Sequence, residues 1–369
     1  MTEATFRILY LTDKSDRGES ATIRGVHDRG HRVVVFGRAD SPHVTAIRDH
    51  GVAVTGVSWK RKLDRSLLRR IRQTIRDEDI DIVHAMNSRT TLHMVLATRP
   101  LARAGRSPRL VAYLGVTGNV SWWSPLSWLR FLNPRIDRIV CVAEGVRRYL
   151  LGVTLLGLHL PPERVVTIHK GHELSWYTAQ PADRGALGIP RDATLVTVAS
   201  RLRPRKGLLE LIQALGRTDP AKNIHVLFLG HEGNSELHRA AAALTDPGRV
   251  HFAGFRRDAP AIMAASDICC LPVLRGEGLS RAVIEGMAYG VTPLVTDVGG
   301  NTELVIDGES GLVVPPGDVP ALAEAIEWLH DHPLERQRMG RAARERIAGQ
   351  FRNQDTVEKT LALYRELLQ

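Results

Sequence analysis

Residues 275–290 read Arg-Gly-Glu-Gly-Leu-Ser-Arg-Ala-Val-Ile-Glu-Gly-Met-Ala-Tyr-Gly and predict a loop that runs into a helix. Glycines on both sides of Glu277 let the backbone approach a ligand closely, and Ser280 stands where a helix N-cap belongs. Such a helix start presents free N–H groups at the positive end of the helix dipole, which suits phosphate. Glu277 and Glu285 add carboxylates that accept hydrogen bonds from hydroxyl groups. Phosphate and hydroxyl groups in one pocket indicate a nucleotide-sugar.

Around this stretch, short β-rich apolar runs alternate with helical patterns along the chain. This alternation predicts right-handed βαβ units and parallel sheets covered on both faces. Two such series predict an α/β fold with two Rossmann-like, doubly wound domains. The predicted strands are Phe6–Leu11, Arg32–Phe36, Val52–Val57, Ile80–His84, Leu110–Tyr113, Arg138–Val142 and Val165–Ile168 in the first series, and Thr194–Ala199, His225–Leu229, Val250–Ala253, Asp267–Leu271, Pro293–Thr296 and Gly311–Val314 in the second.

The length of 369 residues also favours two domains. We place the join in the polar, helix-poor stretch 171–190. The last segment, 356–368, has apolar residues at helical spacing and would pack on either domain. Because ligands of open parallel sheets bind beyond the carboxyl ends of the strands, the expected site is the cleft between the domains.

A loop with four cations follows one predicted strand and reads Ser200-Arg201-Leu202-Arg203-Pro204-Arg205-Lys206-Gly207. Arginine binds phosphate with a planar fork, and lysine adds a compact charge. A solvated surface loop would have the same composition, so this loop alone leaves both interpretations open. Beside the glycine-rich helix start at 276–281, it favours a diphosphate site. Glycine-containing loops at 230–233, 254–255 and 299–300 are equally well explained as plain turns.

The charge of the chain is distributed unevenly. Residues 1–180 hold 28 Lys and Arg against 16 Asp and Glu, whereas residues 181–369 hold 22 against 24. The basic first half favours an anionic partner, with a generic arginine-rich surface as the alternative. No recognised nucleic-acid module is present, so we expect no nucleic-acid partner.

Targeting signals and cysteines bear on the compartment. The N-terminal residues do not have a signal-peptide pattern, and no apolar run reaches the about 18–20 residues that a membrane span needs. Cys141, Cys269 and Cys270 lie in apolar stretches, as small core residues of a reducing compartment do. We therefore expect a cytoplasmic protein.

Three features in this order resemble the retaining glycosyltransferases of family 4, which have the GT-B fold. They are the Arg201…Lys206 loop, the Glu277-x7-Glu285 pair and the run 298–305, Val-Gly-Gly-Asn-Thr-Glu-Leu-Val. The pair alone is moderately specific, and the three features together are a strong signal.

The resemblance is close over residues 190–320 and loose over 1–180. It implies two Rossmann-like domains with a cleft between them. The N-terminal, acceptor-binding domain would span 1–175, the nucleotide-sugar domain 176–352, and a C-terminal helix over 353–369 would cross back to the first domain.

The resemblance also implies roles for individual residues. Arg201 and Lys206 would neutralise the donor diphosphate, Glu285 would accept the ribose hydroxyls, and Glu277 would contact the transferred sugar as a catalytic residue. The diphosphate would further meet the backbone of the loop at Gly278, Leu279 and Ser280. Fixed cations and a helix N-terminus stabilise a departing diphosphate, so we expect neither a metal nor a cofactor, with the nucleotide-sugar as the donor substrate.

The first half matches the family at one place and departs from it at three. His84 matches a frequent family histidine and is predicted to be catalytic, with a packed or capping histidine as the alternative. The usual glycine pair after the first strand is reduced to Gly18, Leu114 replaces another frequent histidine, and Lys-Gly-His-Glu at 170–173 stands where Asn-Gly-x-Asp is common.

Two features concern the acceptor. Residues 121–131 gather three tryptophans, and residues 60–76 predict a helix with one apolar and one basic side. Tryptophan belts and basic amphipathic helices are typical of membrane surfaces, and a core cluster with a sheet-packing helix is the alternative. The apolar stripe is Leu63, Leu67, Leu68, Ile71 and Ile75, and the basic side is Lys60, Arg61, Lys62, Arg65, Arg69, Arg70, Arg72 and Arg76. The membrane interpretation predicts a peripheral protein at the inner membrane face with a lipid-linked or lipopolysaccharide-like acceptor.

Other classes of function remain to be weighed. A non-catalytic GT-B protein that binds a sugar or a partner is the main alternative, since Leu114 replaces a family histidine. A pyridoxal-dependent phosphorylase is disfavoured by the short chain. A dehydrogenase is disfavoured because no Gly-x-Gly-x-x-Gly follows the first strand.

Overall fold

The computed structural model describes residues 5–369 except 14, 60–63, 104, 106, 119 and 232–234. The chain divides into two compact units, which we call the first unit (residues 1–171 and 351–369) and the second unit (residues 172–350). Each unit is built around one parallel sheet, as expected for two Rossmann-like α/β domains. The predicted fold class is therefore confirmed. The predicted boundaries at 175 and 352, and the cleft between the domains, stay predictions.

The strands within the described residues are β1 (Arg7–Thr12), β2 (Arg32–Arg38), β3 (Ala53–Val57), β4 (Ile82–Ala85), β5 (Arg109–Leu114), β6 (Arg138–Cys141), β7 (Val165–Thr167), β8 (Thr194–Ala199), β9 (Ile224–Leu229), β10 (Val250–Gly254), β11 (Ile268–Leu271), β12 (Thr292–Thr296) and β13 (Leu312–Val314). The helices are α1 (Arg17–Asp28), α2 (Pro42–Asp49), α3 (Arg65–Asp77), α4 (Ser88–Arg103), α5 (Pro125–Trp128), α6 (Glu144–Leu151), α7 (Leu208–Leu215), α8 (Ser235–Ala242), α9 (Ala259–Ala264), α10 (Arg281–Ala288), α11 (Asn301–Leu304), α12 (Val319–Asp331), α13 (Pro333–Gln350) and α14 (Asn353–Leu368).

The strand order fixes where a ligand site belongs in each sheet. The order is β3-β2-β1-β4-β5-β6-β7 in the first unit and β10-β9-β8-β11-β12-β13 in the second. In each sheet, successive strands are first added toward one edge and then toward the other. The change occurs between β1 and β4 in the first unit and between β8 and β11 in the second. Loops that follow such a pair diverge and leave a crevice at the carboxyl edge.

The predicted strands are all present, with ends that move by one or two residues. One difference has a local cause: β4 begins at Ile82 rather than at the predicted Ile80, because Asp79 has a positive φ of 47° and turns the chain before the strand. The predicted helix from Leu63 begins at Arg65, since Asp64 accepts hydrogen bonds from the first-turn N–H groups and caps it. Leu63 itself lies outside the described residues.

The C-terminal helix belongs to the first unit, where it packs on α1. Gly25 leaves room for Val357, because a Cβ at Gly25 would lie 2.7 Å from a methyl group of that side chain. Tyr364 is fully buried in the same hydrophobic core as Tyr10. Among the described residues, no helix is both long and apolar enough to span a bilayer.

Candidate active site

The loop between β11 and α10 holds Glu277 in a turn of glycines. Gly276 has a positive φ of 74°, a left-handed conformation that favours glycine. Ser280 is the N-cap residue of α10, with extended backbone, but its hydroxyl caps no N–H group of the described chain. The helix start therefore keeps N–H groups available for an anion, as a phosphate site requires. Gly278 and Ser280 are buried, and Leu279 is half-buried.

Lys206 and Glu277 form an ion pair between two loops of the second unit. The Lys206 ammonium donates to Oε2 of Glu277, and the two side chains are only 11% and 12% exposed. Lys206 ends a short 3-10 turn after β8, and Glu277 follows β11. The loops meet because β8 and β11 are neighbours at the switch point of the sheet. The structure thus brings together Lys206, which is predicted to bind the diphosphate, and Glu277, which is predicted to bind the transferred sugar.

Arg205 ties the same two loops and was missed as a functional residue. Its Nη1 donates to the backbone carbonyls of Gly276 and Arg275, and its own carbonyl accepts from the N–H of Leu274 at 2.9 Å. Arg205 lies in the cation-rich loop, but composition does not distinguish a cation that faces a ligand from one that holds a neighbouring loop. Arg201 is exposed, so its side chain is accessible to a ligand.

Two glycines keep this arrangement close-packed. Gly207 has a φ of 69°, and a Cβ there would overlap the carbonyl of Pro272. Gly299 has a φ of 65°, and a Cβ there would overlap the carbonyl of Glu277. The N–H of Gly300 next to it donates to the carbonyl of Gly278 at 3.0 Å. The glycine pair at 299–300 therefore packs against the backbone of the Glu277 loop, rather than only forming a turn.

Glu285 lies one turn inside α10 and is partly buried. Burial raises the pKa of its carboxyl above the ordinary value, and the charge of Arg281 one turn earlier opposes that rise. A partly desolvated carboxylate is a strong acceptor for hydroxyl groups. This environment suits the predicted contact with a ribose.

An aromatic stack stands on neighbouring strands of the same edge. The rings of His231 and Phe255 are 5.2 Å apart and nearly parallel, at 9°, and Phe255 is 64% exposed. His231 follows β9 and Phe255 follows β10. Glu232, Gly233 and Asn234, which follow His231 in the first loop, lie outside the described residues.

His84 lies in the core of the first unit. Its Nδ1 is 2.7 Å from the hydroxyl of Tyr364, which donates to the hydroxyl of Tyr10 at 2.8 Å. The other ring nitrogen of His84, Nε2, is buried without a hydrogen-bond partner among the described residues. Burial lowers the pKa of His84 to about 3, so the imidazole is neutral. Its predicted catalytic role stays a prediction, and it requires a buried nitrogen to reach the substrate.

Lys170 gives the departure at 170–173 a structural role. Its ammonium donates to Asp16 at 2.7 Å and to Glu19 at 2.9 Å, both at the N-terminal end of α1. Asp16 also caps α1 by accepting from the N–H of Glu19. Burial raises the pKa of Glu19 to about 6. The lysine thus neutralises carboxylates beside Gly18.

Leu114, which stands in place of a family histidine, is a buried residue at the end of β5.

The tryptophan-rich stretch is divided between core and surface. Trp122 is buried and donates from its indole to the carbonyl of Val153 at 2.6 Å, so it is a core residue. Trp123 is 79% exposed, and Leu126, Trp128 and Leu129 in and after α5 are also exposed. Exposed aromatic and leucine side chains in one segment indicate an interaction surface.

Helix α3 has the predicted two-sided character over its described part. Leu67, Ile71 and Ile75 are buried, and Leu68 is half-buried. The arginines Arg65, Arg69, Arg70 and Arg76 are exposed, while Arg72 donates to the carbonyl of Ala97. Lys60, Arg61 and Lys62 lie outside the described residues.

The described part of the chain contains no group of three or more His, Cys, Asp or Glu arranged to hold a metal ion. Cys269 and Cys270 are buried in β11, and Cys141 is buried in β6. The predicted independence from a metal and a cofactor stays a prediction.

Two protein-family models match the chain. Residues 179–346 match the model "Glycosyl transferases group 1", and residues 21–176 match "Glycosyltransferase Family 4". Together they cover most of both units.

Known proteins with related sequences include two that are named as sugar transferases. The lipopolysaccharide core biosynthesis glycosyltransferase LpsE of Rhizobium meliloti is 32% identical over 182 residues, which is 49% of this chain and 52% of that protein. The match with LpsE thus spans about half the length of that relative. The phosphatidyl-myo-inositol mannosyltransferase of Mycolicibacterium smegmatis is 26% identical over 336 residues, 87% of this chain and 82% of that protein.

Among solved structures, HepE of Anabaena in complex with UDP superposes with a TM-score of 0.77 at 22% identity. The superposition covers 98% of this chain and 100% of that chain. This likeness supports the fold.

Proposed function

The chain belongs to glycosyltransferase family 4, and on this premise we propose that it transfers a sugar from a nucleotide-sugar to a glycan or glycolipid acceptor with retention of configuration. The observation that carries the proposal is the contact of Lys206 with Glu277 beside the uncapped start of α10. The related LpsE and the mannosyltransferase are named as transferases, whereas no observation favours the non-catalytic alternative.

Departure of the nucleoside diphosphate is the step that the second unit supports. Negative charge grows on the leaving diphosphate while positive charge grows on the sugar ring. Lys206, Arg201 and the N–H groups at the start of α10 are fixed donors that stabilise the departing charge without reorganisation. In the structure Lys206 contacts Glu277, so an incoming diphosphate shares or replaces that contact.

Glu277 and Glu285 then have separate duties. Glu277 lies beside the diphosphate cation and would accept hydrogen bonds from the hydroxyls of the transferred sugar. Glu285, one turn inside α10, would accept those of the ribose. The bond between the anomeric carbon and the diphosphate breaks, the acceptor oxygen bonds to that carbon from the same face, and a departing phosphate oxygen takes the acceptor's proton.

We propose a UDP-sugar as the donor, since the structurally similar HepE binds UDP. A thermal-shift panel with UDP, GDP and ADP tests this proposal, because a ligand that binds the folded state raises the melting temperature. UDP should stabilise the wild type most, and Arg201→Ala should reduce the shift while the distant control Lys222→Ala retains it. Equal shifts with all three nucleotides, or no shift with any, would contradict the donor assignment.

The proposed acceptor is a lipid-linked or lipopolysaccharide-like glycan at the cytoplasmic membrane face, with peripheral attachment of the protein. The names of LpsE and the mannosyltransferase point to such acceptors. The first unit offers two candidate contacts, exposed Trp123, Leu126 and Leu129 in one segment and the exposed arginines of α3. Apolar anchors with basic side chains bind anionic lipid surfaces.

Sedimentation with phosphatidylglycerol and phosphatidylcholine vesicles tests the membrane proposal. Binding should favour phosphatidylglycerol and weaken at high salt. Trp123→Ser with Leu126→Ser should reduce binding several-fold, whereas Leu334→Ser, which changes an exposed leucine of the second unit, should not. No binding at low salt would remove the membrane proposal and leave the donor site untouched.

A further inference from the structure

A cavity lies in the second unit, outside the residues assigned to the donor. It has a volume of about 330 Å³ and is lined by Arg203, Arg205, Arg275, Glu210 and Glu236, with four leucines and a proline as apolar walls. Small-molecule sites begin at about this size. Neither Arg201 nor Lys206 lines it.

The three arginines of this cavity have spare hydrogen-bonding capacity. The guanidinium groups of Arg203 and Arg275 make no hydrogen bond or ion pair with any described residue, and both side chains are exposed at the mouth. Arg205 is already held in place by the carbonyls of Gly276 and Arg275 through Nη1. Its guanidinium is therefore oriented before a ligand arrives, which lowers the entropy cost of binding. Three guanidinium groups that line one cavity can bind a phosphate together.

The carboxylates and the apolar walls indicate what the phosphate is attached to. Oε2 of Glu210 is buried and lacks a hydrogen-bond partner within the described residues. A buried acceptor of this kind needs a donor, which a sugar hydroxyl provides. The leucine walls suit the apolar face of a sugar ring.

We propose that this cavity binds a monosaccharide phosphate, with the phosphate on Arg203, Arg205 and Arg275 and a ring hydroxyl on Glu210. The site stands on the contacts of the second unit and does not require the proposed sugar transfer. Arg205 links it to the Glu277 loop, because the same guanidinium that lines the cavity holds the carbonyl of Gly276.

Calorimetric titration with glucose 6-phosphate at constant ionic strength tests the proposal. The wild type should bind with saturation at one site, and Arg203→Gln/Arg275→Gln should weaken binding at least tenfold. Arg217→Gln/Arg341→Gln removes the same charge from exposed positions outside the cavity and should stay within twofold of the wild type. Glu210→Gln should weaken glucose 6-phosphate binding and leave the affinity for inorganic phosphate unchanged.

Arg201→Gln separates this site from the donor site. It should retain glucose 6-phosphate binding while it loses nucleotide affinity, and the Arg203→Gln/Arg275→Gln protein should do the reverse. The proposal is overturned if Arg201→Gln weakens glucose 6-phosphate as much as the cavity variant does, if the cavity variant binds like the wild type, or if the wild type shows no saturable binding.

Discussion

The two units use the same parts, a lysine and carboxylates at a helix N-terminus, in different proportions. In the first unit, Lys170 contacts two carboxylates, and one of them, Asp16, also caps α1. In the second unit, within the described residues, Lys206 contacts one carboxylate, Glu277, and α10 begins without a side-chain cap.

The difference teaches where an anion can bind. Around Lys170 the carboxylates outnumber the cation, and Asp16 already occupies an N–H group of α1. The loop of Lys206 also carries Arg201 and Arg205, and no side chain of the described residues caps the N–H groups of α10. An electropositive helix start attracts phosphate, whereas a capped start beside excess carboxylate does not. We therefore propose that the second unit binds the donor.

The largest effect is expected for Lys170→Met. Removal of the ammonium leaves Asp16 and Glu19 buried without their cation, which should lower the free energy of unfolding by about 3–5 kcal/mol. Denaturant unfolding measures the loss. Lys222→Met, at a solvent-exposed ion pair, is the control and should cost much less than Lys170→Met. Equal losses of unfolding free energy in the two variants would show that Lys170 does not stabilise this cluster more than an exposed ion pair does.

Lys206→Ala should lower kcat/KM for sugar transfer about 10²–10³-fold, or about 2.7–4 kcal/mol, because one fixed donor to the departing charge is lost. Steady-state kinetics measure the loss, and Lys222→Ala serves as the control. Unchanged kcat/KM in a folded Lys206→Ala protein would place the diphosphate elsewhere. It would also remove the proposed difference in anion binding between the two units.

Glu19→Gln should reveal the cost of ionising a buried carboxyl. The pKa of Glu19 is raised to about 6 from an ordinary value of 4.5, so the folded state holds its proton more tightly than the unfolded state. Its contribution is complete below pH 4.5 and is lost as pH rises through 6, by about 2 kcal/mol. Relative to the variant, the wild type should lose that amount between pH 4.5 and 7. Parallel stability curves for the two proteins would mean that the pKa of Glu19 is ordinary.

Ser280→Ala should change the free energy of unfolding by less than about 0.5 kcal/mol. A capping serine usually contributes about 1 kcal/mol, but the hydroxyl of Ser280 forms no capping bond with the described chain. Thermal unfolding without nucleotide measures this difference. A loss of a full kcal/mol or more would show that α10 is capped and closed to anions, like α1.

Much of this architecture follows from local pattern. Alternating strands and helices predict the fold, and the strand order then explains why the loops with Lys206 and Glu277 meet. Both loops follow neighbouring central strands, so their cations and carboxylates are brought to one edge.

Other features depend on distant partners that pattern does not reveal. His84 is joined to Tyr364, which is 280 positions further along the chain, and only the packing of α14 in the first unit brings them together. Lys170 and Asp16 are 154 positions apart. Arg205 is chemically like its neighbour Arg203, and only the path of the 275–276 backbone makes it a clamp.

Calorimetric titration of UDP into the wild type, Lys206→Ala and Glu19→Gln tests the central claim most directly, because it changes each unit's cluster in turn. We expect one binding site, an affinity at least tenfold weaker in Lys206→Ala, and an affinity within twofold of the wild type in Glu19→Gln. An affinity that falls in Glu19→Gln and is unchanged in Lys206→Ala would contradict it, because the anion would then bind in the first unit.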